Sequence, residues 1–243
     1  DIVQKLNTGL NSGTTRGLPN IVLIEDYRAQ NFLQAYPDSF RDMSDKIQSS
    51  DFADYKIGPT SLDGRQYGVP FDSGVTGLYV RTDYLEQAGY TVDDLTNIDW
   101  QEYIEIGKQV KEVTGKHMLT QDPNDLGLVR IMAQTAGAWY MKEDGSTPNI
   151  TDNPALKEAL ETYKAMFDAD IVKMHADWSQ FLANFNNGDV VTVPTGNWIT
   201  PSVKAEASQS GKWAVVPIPK LAKHPDSVHA SNRRGLPCRD IWL

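Results

Sequence analysis

At 243 residues the chain is long enough to bury a substantial core, in one large domain or in two lobes. A composition of 40% hydrophobic and 23% charged residues is that of an ordinary globular protein, and a net charge of -9 spread along the sequence argues against nucleic acid or an anionic membrane surface as partner. No apolar run approaches the roughly 18 residues of a membrane span, no signal peptide is visible, and the single cysteine, Cys238, excludes an intrachain disulfide. The histidines, at 117, 175, 224 and 229, lie in no metal-ligand spacing.

Ile2, Val3, Leu6 and Leu10 have helical spacing, so a helix is expected from the first residues, and one without lead-in is expected to follow a segment this chain lacks. Pro19–Ile24 is a continuous apolar run of strand length, the pattern of a strand covered on both faces. It ends in Glu25-Asp26-Tyr27-Arg28, and ligands of open α/β sheets collect just past the carboxyl ends of strands. Glu25 and Asp26 are adjacent, so in extended geometry they point to opposite faces and form no catalytic pair. One is a candidate to face a ligand, the other to cap a helix beginning near Ala29. Turn signals fill 49–64. Tyr67–Phe71 and Val75–Val80 then read as strands joined by Asp72, Ser73 and Gly74, a carboxylate and a hydroxyl at a sharp bend. Both a ligand contact and a plain tight loop fit that bend.

Thr82-Asp83 opens a short helix closed by Gly89, and Asp99-Trp100-Gln101-Glu102 is a capping box for a helix that stops at Gly115. Leu126–Ala136 reads as a helix ended by Gly137, after which Trp139 and Tyr140 lie in a loop. Asn153-Pro154 starts a helix with Leu156, Leu160, Tyr163 and Phe167 on one face. Trp178 and Ser179 lead into a short helix closed by Gly188. Val190–Val193 is a strand run, Thr195-Gly196-Asn197-Trp198 a turn exposing an aromatic, and Trp213–Ile218 a strand run broken by Pro217 and Pro219. Strands alternate with helices, as in α/β architecture.

Four segments in this order carry a resemblance: PNIVLIED (19–26), DGRQYGVPFDSGVTGLYVRTDYLEQAGY (63–90), TAGAWYMKEDG (135–145) with the following NPALKEALETY, and FNNGDVVTVPTGNW (185–198). In them the chain resembles the extracellular solute-binding proteins of bacterial ABC importers, in the sugar-binding branch related to maltose-binding protein. After Ser231-Asn232 it reads RRGLPCRDIWL, which has no family counterpart, and no function is expected of that tail. The resemblance implies an α/β, periplasmic-binding-protein-like fold of type II, two α/β lobes with a hinge. The N-lobe, incomplete here, would come from 1–68 and 217–243, and a mostly complete C-lobe from 69–216. An N-lobe without its opening strand is expected to leave Val22 and Ile24 exposed. The resemblance also implies an oligosaccharide ligand in the interlobe cleft, ABC transporter permease subunits as partners, and no cofactor, metal or catalytic residue. The place would be extracellular, periplasmic or anchored to a Gram-positive-type cell surface, with membrane contact only through a lipid anchor absent from this chain.

Sugars are recognised by aromatic faces that stack on the ring and by planar carboxylates or amides that bond pairs of hydroxyls. By the resemblance, Trp198 is the first stacking candidate and Trp139 the second. Asp72 matches an acidic hydroxyl-binding position on a strand crossing between lobes, with Ser73 adjacent. Asp26 matches the acidic residue that ends an N-lobe strand, with Tyr27 beside it. Trp178 either faces the ligand or acts as a hydrophobic staple for the next helix. Trp100 and Trp213 are assigned to packing, Arg130 to a solvated charge. Two alternatives stand beside this reading: a glycoside hydrolase using Asp26 and Asp72 across a cleft, and a binding protein for a solute other than sugar. No GxSxG, Walker A loop or HExxH is present.

Overall fold

In the computed structural model of the chain, which describes residues 2–14, 16–72, 74–142, 147–224 and 241–242, the helical spacing at the start does form a helix, α1 (Ile2–Asn11). Two units follow from the packing: Asp1–Gly74 with the C-terminal strand, and Val75–Asn232. The strand Trp213–Val216 and the Lys220 carbonyl, 2.9 Å from the Trp100 amide, both pair inside the second unit.

In the first unit, β1 (Leu23–Ile24) is followed by α2 (Asp26–Ala35) and α3 (Asp54–Ile57). Burial along the run before α2 alternates, with Val22 and Ile24 buried and Ile21 66% exposed. The expected strand covered on both faces is therefore covered on one. Val22 and Ile24 are not exposed as anticipated, because Leu6 of α1 and Ala29 and Phe32 of α2 pack on that face. A hairpin, β2 (Ser61–Leu62) with β3 (Arg65–Gln66), turns on Asp63 and Gly64, both at positive φ, 51° and 75°. Asp-Gly supplies that pair of left-handed residues at little cost. Next comes β4 (Val69–Pro70), shorter than the run expected over 67–71 because Phe71 is exposed. The backbone of Ile241–Trp242 pairs antiparallel with both β1 and β4.

The second unit opens with β5 (Thr76–Arg81), α4 (Thr82–Gln87), α5 (Trp100–Thr114), β6 (Leu119–Gln121), α6 (Gly127–Thr135) and α7 (Pro154–Asp168). It continues with β7 (Val172–Met174), α8 (Trp178–Asn186), β8 (Thr192–Gly196), α9 (Thr200–Val203) and β9 (Trp213–Val216). β5 is the centre of an antiparallel sheet ordered β8-β5-β9, in which Tyr79 stands opposite Val193 on one side and Val215 on the other. β6 and β7 form a separate parallel pair, Leu119 opposite Val172. One face of the sheet, with Leu78 and Val80, meets an apolar cluster that includes Trp100, Tyr103, Met132 and Met166, and the other, with Tyr79 and Val193, meets a second cluster around Phe185 and Ile199. The fold is mixed α/β, as expected. The TG of the turn expected at 195–198 instead ends β8, since Thr195 and Gly196 pair with Gly77 and Thr76.

Candidate functional site

In the first unit the acidic candidates stand in different surroundings. Asp26 is the first residue of α2, buried, and both its carboxylate oxygens accept from Lys56 Nζ, at 3.0 and 2.9 Å. Lys56, from α3, is only 3% exposed. A buried charge without a partner costs several kcal/mol, so each of these groups is the condition for the burial of the other. The N-terminal end of the helix dipole adds to the field that favours the Asp26 carboxylate. Glu25 occupies the cap position without a side-chain bond to the helix amides and pairs instead with Arg28 Nε at 3.1 Å. Thus Glu25 does not cap α2 with its side chain in the way expected of one of the two acids. Tyr27 is half-exposed; its hydroxyl accepts from Arg28 Nε at 3.1 Å and its ring lies 5.0 Å beneath the guanidinium. Asp72 is partly buried between β4 and β5. Ser73 lies outside the described residues, as do His229 and Cys238.

The aromatic candidates belong to the second unit. Trp139 follows Gly137, whose φ of 73° ends α6, and its half-buried ring lies 4.7 Å from that of Tyr140. The Trp139 carbonyl accepts from Asn149 Nδ2 and Asn153 Nδ2, at 3.2 and 3.0 Å, which ties this loop to the cap of α7. Trp198 sits in the 3-10 turn Asn197–Ile199 just past β8. The Asn197 amide donates to the Val75 carbonyl at 2.9 Å, fixing the turn to the start of the central strand. The half-buried Trp198 ring is 5.7 Å from Trp178 and tilted 32° from parallel.

Trp178 is the first residue of α8, after Asp177, whose carboxylate accepts from the Gln180 amide at 2.8 Å. A hydrophobic staple comes from the residue before the cap. Here that residue is Ala176, so Trp178 is no staple. It is 50% exposed and packs on Phe181, which in turn packs on the fully buried Phe185 and on His175. Asn184 Nδ2 donates to Thr120 Oγ1 at 2.7 Å, leaving the hydroxyl proton for His175 Nδ1 at 2.8 Å. Burial holds His175 below its ordinary pKa, against the opposing charges of Asp122, Asp125 and Asp177. The ring is therefore neutral near pH 7, protonated on Nε2.

Trp100 is fully buried edge-on to Tyr103, and Trp213 Nε1 donates to Gln209 Oε1 at 2.9 Å, so both pack as expected. Arg130 is not a solvated charge, since its guanidinium reaches Asp125 Oδ1 at 2.9 Å and its side chain is mostly covered. Residue reading alone missed Lys56 and the pairing of Trp178 with Trp198. The i, i+3 spacing of Trp178 and Phe181 was the available sign that these rings share a helix face.

The family model for "Bacterial extracellular solute-binding protein" matches residues 1–232. A lactose-binding protein of Rhizobium radiobacter is 53% identical over 221 residues, which are 91% of this chain and 52% of that protein. An arabinooligosaccharide-binding protein of Halalkalibacterium halodurans is 26% identical over 226 residues, 89% of this chain and 49% of that protein. Among solved structures, the ABC transporter associated binding protein from B. animalis subsp. lactis Bl-04, in complex with β-1,6-galactobiose, superposes with a TM-score of 0.77. It is 21% identical and covers 90% of this chain and 54% of its own. The chain thus spans about half the length of the curated relatives it matches.

Proposed function

This chain belongs to the bacterial extracellular solute-binding proteins, and from that premise we propose that the protein it is part of captures an oligosaccharide, of which lactose is the first to test, for import by an ABC transporter. The observation that carries this reading is the 53% identity to a lactose-binding protein. The protein binds the sugar and performs no chemistry on it; it works outside the cytoplasmic membrane, in the periplasm or anchored at the cell surface, and hands its ligand to permease subunits.

On this reading Trp198 stacks on a sugar ring, with Trp139 as a second aromatic contact, and Asp72 and Ser73 bond hydroxyls. Tyr27 is a further candidate contact, and Asp26 a further candidate carboxylate whose orientation Lys56 already holds. The 3-10 turn supports the role of Trp198, because its amide bond to Val75 holds the indole on the end of a sheet rather than on a loose loop.

Calorimetry of the intact protein with lactose and a panel of oligosaccharides tests the reading, together with chromatography of the incubated sugar. Trp198→Ala is expected to weaken binding by about 2–4 kcal/mol with folding retained. A protein that binds no sugar, or one that shortens the oligosaccharide, overturns the proposal.

A further inference from the structure

We propose that Lys111, His117 and Asp170 form a clasp that acid opens: a proton on His117 expels the Lys111 ammonium and frees the turn between α7 and β7. Such a device acts whatever solute the protein carries, and so goes beyond the sugar-binding reading.

The turn after α7 is built differently from those after its neighbours. Helices α4, α5, α6 and α8 are each followed by a glycine at positive φ, Gly89, Gly115, Gly137 and Gly188, at 82°, 70°, 73° and 71°. α7 is followed instead by Asp170, at 55°. A residue with a Cβ is disfavoured in that conformation, and glycine is the usual solution. The Asp170 amide donates to the Phe167 carbonyl at 2.9 Å and the Ile171 amide to the Met166 carbonyl at 3.3 Å, closing the helix end over a fully buried Ile171. Asp170 itself is gripped by Lys111, in the last turn of α5, whose ammonium donates to the Asp170 carbonyl and, at 2.7 Å, to its carboxylate.

An ammonium has three N–H donors, and the third meets His117 Nε2 at 3.2 Å. That bond exists only while the imidazole is neutral, with its proton on Nδ1. A second proton, on Nε2, would set two donors and two positive charges face to face at that distance. The ring is not free to back away, because the His117 amide donates to the Asp189 carbonyl at 3.3 Å and the His117 carbonyl accepts from the Val191 amide at 3.0 Å. The other charged groups that face it are Lys173 of β7 and Asp189 before β8, which pair with each other at 2.6 Å and largely cancel. Burial first, and then Lys111, holds the imidazole below its ordinary value of 6.5. Lys111 also holds the Asp170 carboxyl below its own ordinary value, so that Asp170 stays ionised while His117 titrates. As the pH falls below 6.5, the state with His117 protonated and Lys111 out of the clasp therefore gains on the closed one.

Hydrogen exchange of residues 168–171 in the intact protein tests this, read as protection factors so that the intrinsic pH dependence of exchange drops out. Between about pH 7.5 and about pH 5, protection in the turn should fall about tenfold or more, since an opening that frees His117 takes up a proton the closed clasp refuses. His117→Gln, which takes up no proton, should keep the turn's protection level over the same range. Lys111→Met, which has no ammonium, should protect the turn less than the unsubstituted protein does at the upper pH, and equally at both. A turn insensitive to acid in the unsubstituted protein, an acid loss that persists in His117→Gln, or full protection in Lys111→Met overturns the proposal.

Discussion

The first unit gathers its apolar core from Leu6, Val22, Ile24, Ala29 and Phe32, beneath two helices and strands of two residues. The second runs one cluster from Leu78 of its central strand through Trp100, Tyr103 and Met132 to Leu221, under a sheet whose strands are four to six residues long. Where apolar burial is small, side-chain hydrogen bonds order the chain. Gln30 Nε2 donates to the carbonyls of Pro59 and Ser61 at 3.0 and 2.7 Å, the Gln66 amide spans Thr60, Ser61 and Gly68, and Asp26 is closed on Lys56. Such bonds join particular buried polar atoms, so removing one side chain leaves its partners with a desolvation penalty. A broad apolar cluster loses the transfer energy of the atoms removed plus the cost of the cavity they leave, and no polar group is stranded. The two units should therefore fail in different ways.

The largest expected effect tests that contrast in the first unit. Lys56→Ala leaves the Asp26 carboxylate buried beside a cavity, and breaking a buried pair in this way costs about 3–5 kcal/mol. Hydrogen exchange resolved along the intact protein should show residues 2–72 losing protection while 75–224 keep theirs. The double variant Asp26→Asn, Lys56→Met, which removes both charges, should recover most of the loss. A near-neutral Lys56→Ala would break the contrast, because the pair would then contribute no more than a surface bridge.

A smaller effect is expected at Gly188 in the second unit. Its φ is 71°, and a Cβ there would stand 2.5 Å from Tyr84 Oη, which donates to the Gly188 carbonyl at 3.1 Å. Tyr84 cannot swing away freely, since the Arg81 guanidinium lies 4.2 Å over its ring and is locked on Asp83 by two bonds, 2.8 and 2.7 Å. Gly188→Ala should cost about 1–3 kcal/mol, seen as a lower midpoint in denaturant with the slope unchanged. Because the large cluster is distant in kind from this strain, the loss should stay within the second unit. Spread into the first unit would show the two to be one cooperative body.

What could be read from sequence follows the range of each interaction. The capping box was legible because all its partners lie within three residues: Asp99 Oδ1 accepts from the Gln101 and Glu102 amides at 2.7 and 2.9 Å, and Glu102 Oε2 accepts from the Asp99 amide at 2.9 Å. Asn153 with Pro154 at the first helical position, and Gly115 and Gly188 past helix ends, are local in the same sense. The Asp26–Lys56 pair, thirty residues apart, gave no local sign, because a Lys in a polar segment looks the same whether solvated or buried. The parallel pairing of β6 with β7 was equally hidden, since short apolar runs do not declare their partners. At the candidate site, the aromatic turn at Trp198 was visible from its Gly-Asn neighbours. The ring beside it belongs to another element, and only the fold could bring Trp178 there.

The smallest expected effect is a difference in acid response. All four histidines, at 117, 175, 224 and 229, lie between Val75 and Asn232, and the first unit has none. Burial holds both His117 and His175 below the ordinary value of 6.5. For His117 the neighbouring Lys111 and Lys173 push the same way, against Asp170 and Asp189. For His175 three carboxylates, Asp122, Asp125 and Asp177, oppose burial without overcoming it. Above 6.5 neither the folded nor the unfolded state carries these protons. As the pH falls through that value the unfolded chain takes them up and the folded unit does not, so stability declines until the folded-state values are reached. Between about pH 7.5 and about pH 5.5 the second unit should therefore lose hydrogen-exchange protection while the first is nearly flat. The combined variant His117→Gln, His175→Gln should flatten the second unit as well. Equal loss in both units, or a second unit that gains protection in acid, would show that the histidines are not the groups that distinguish them.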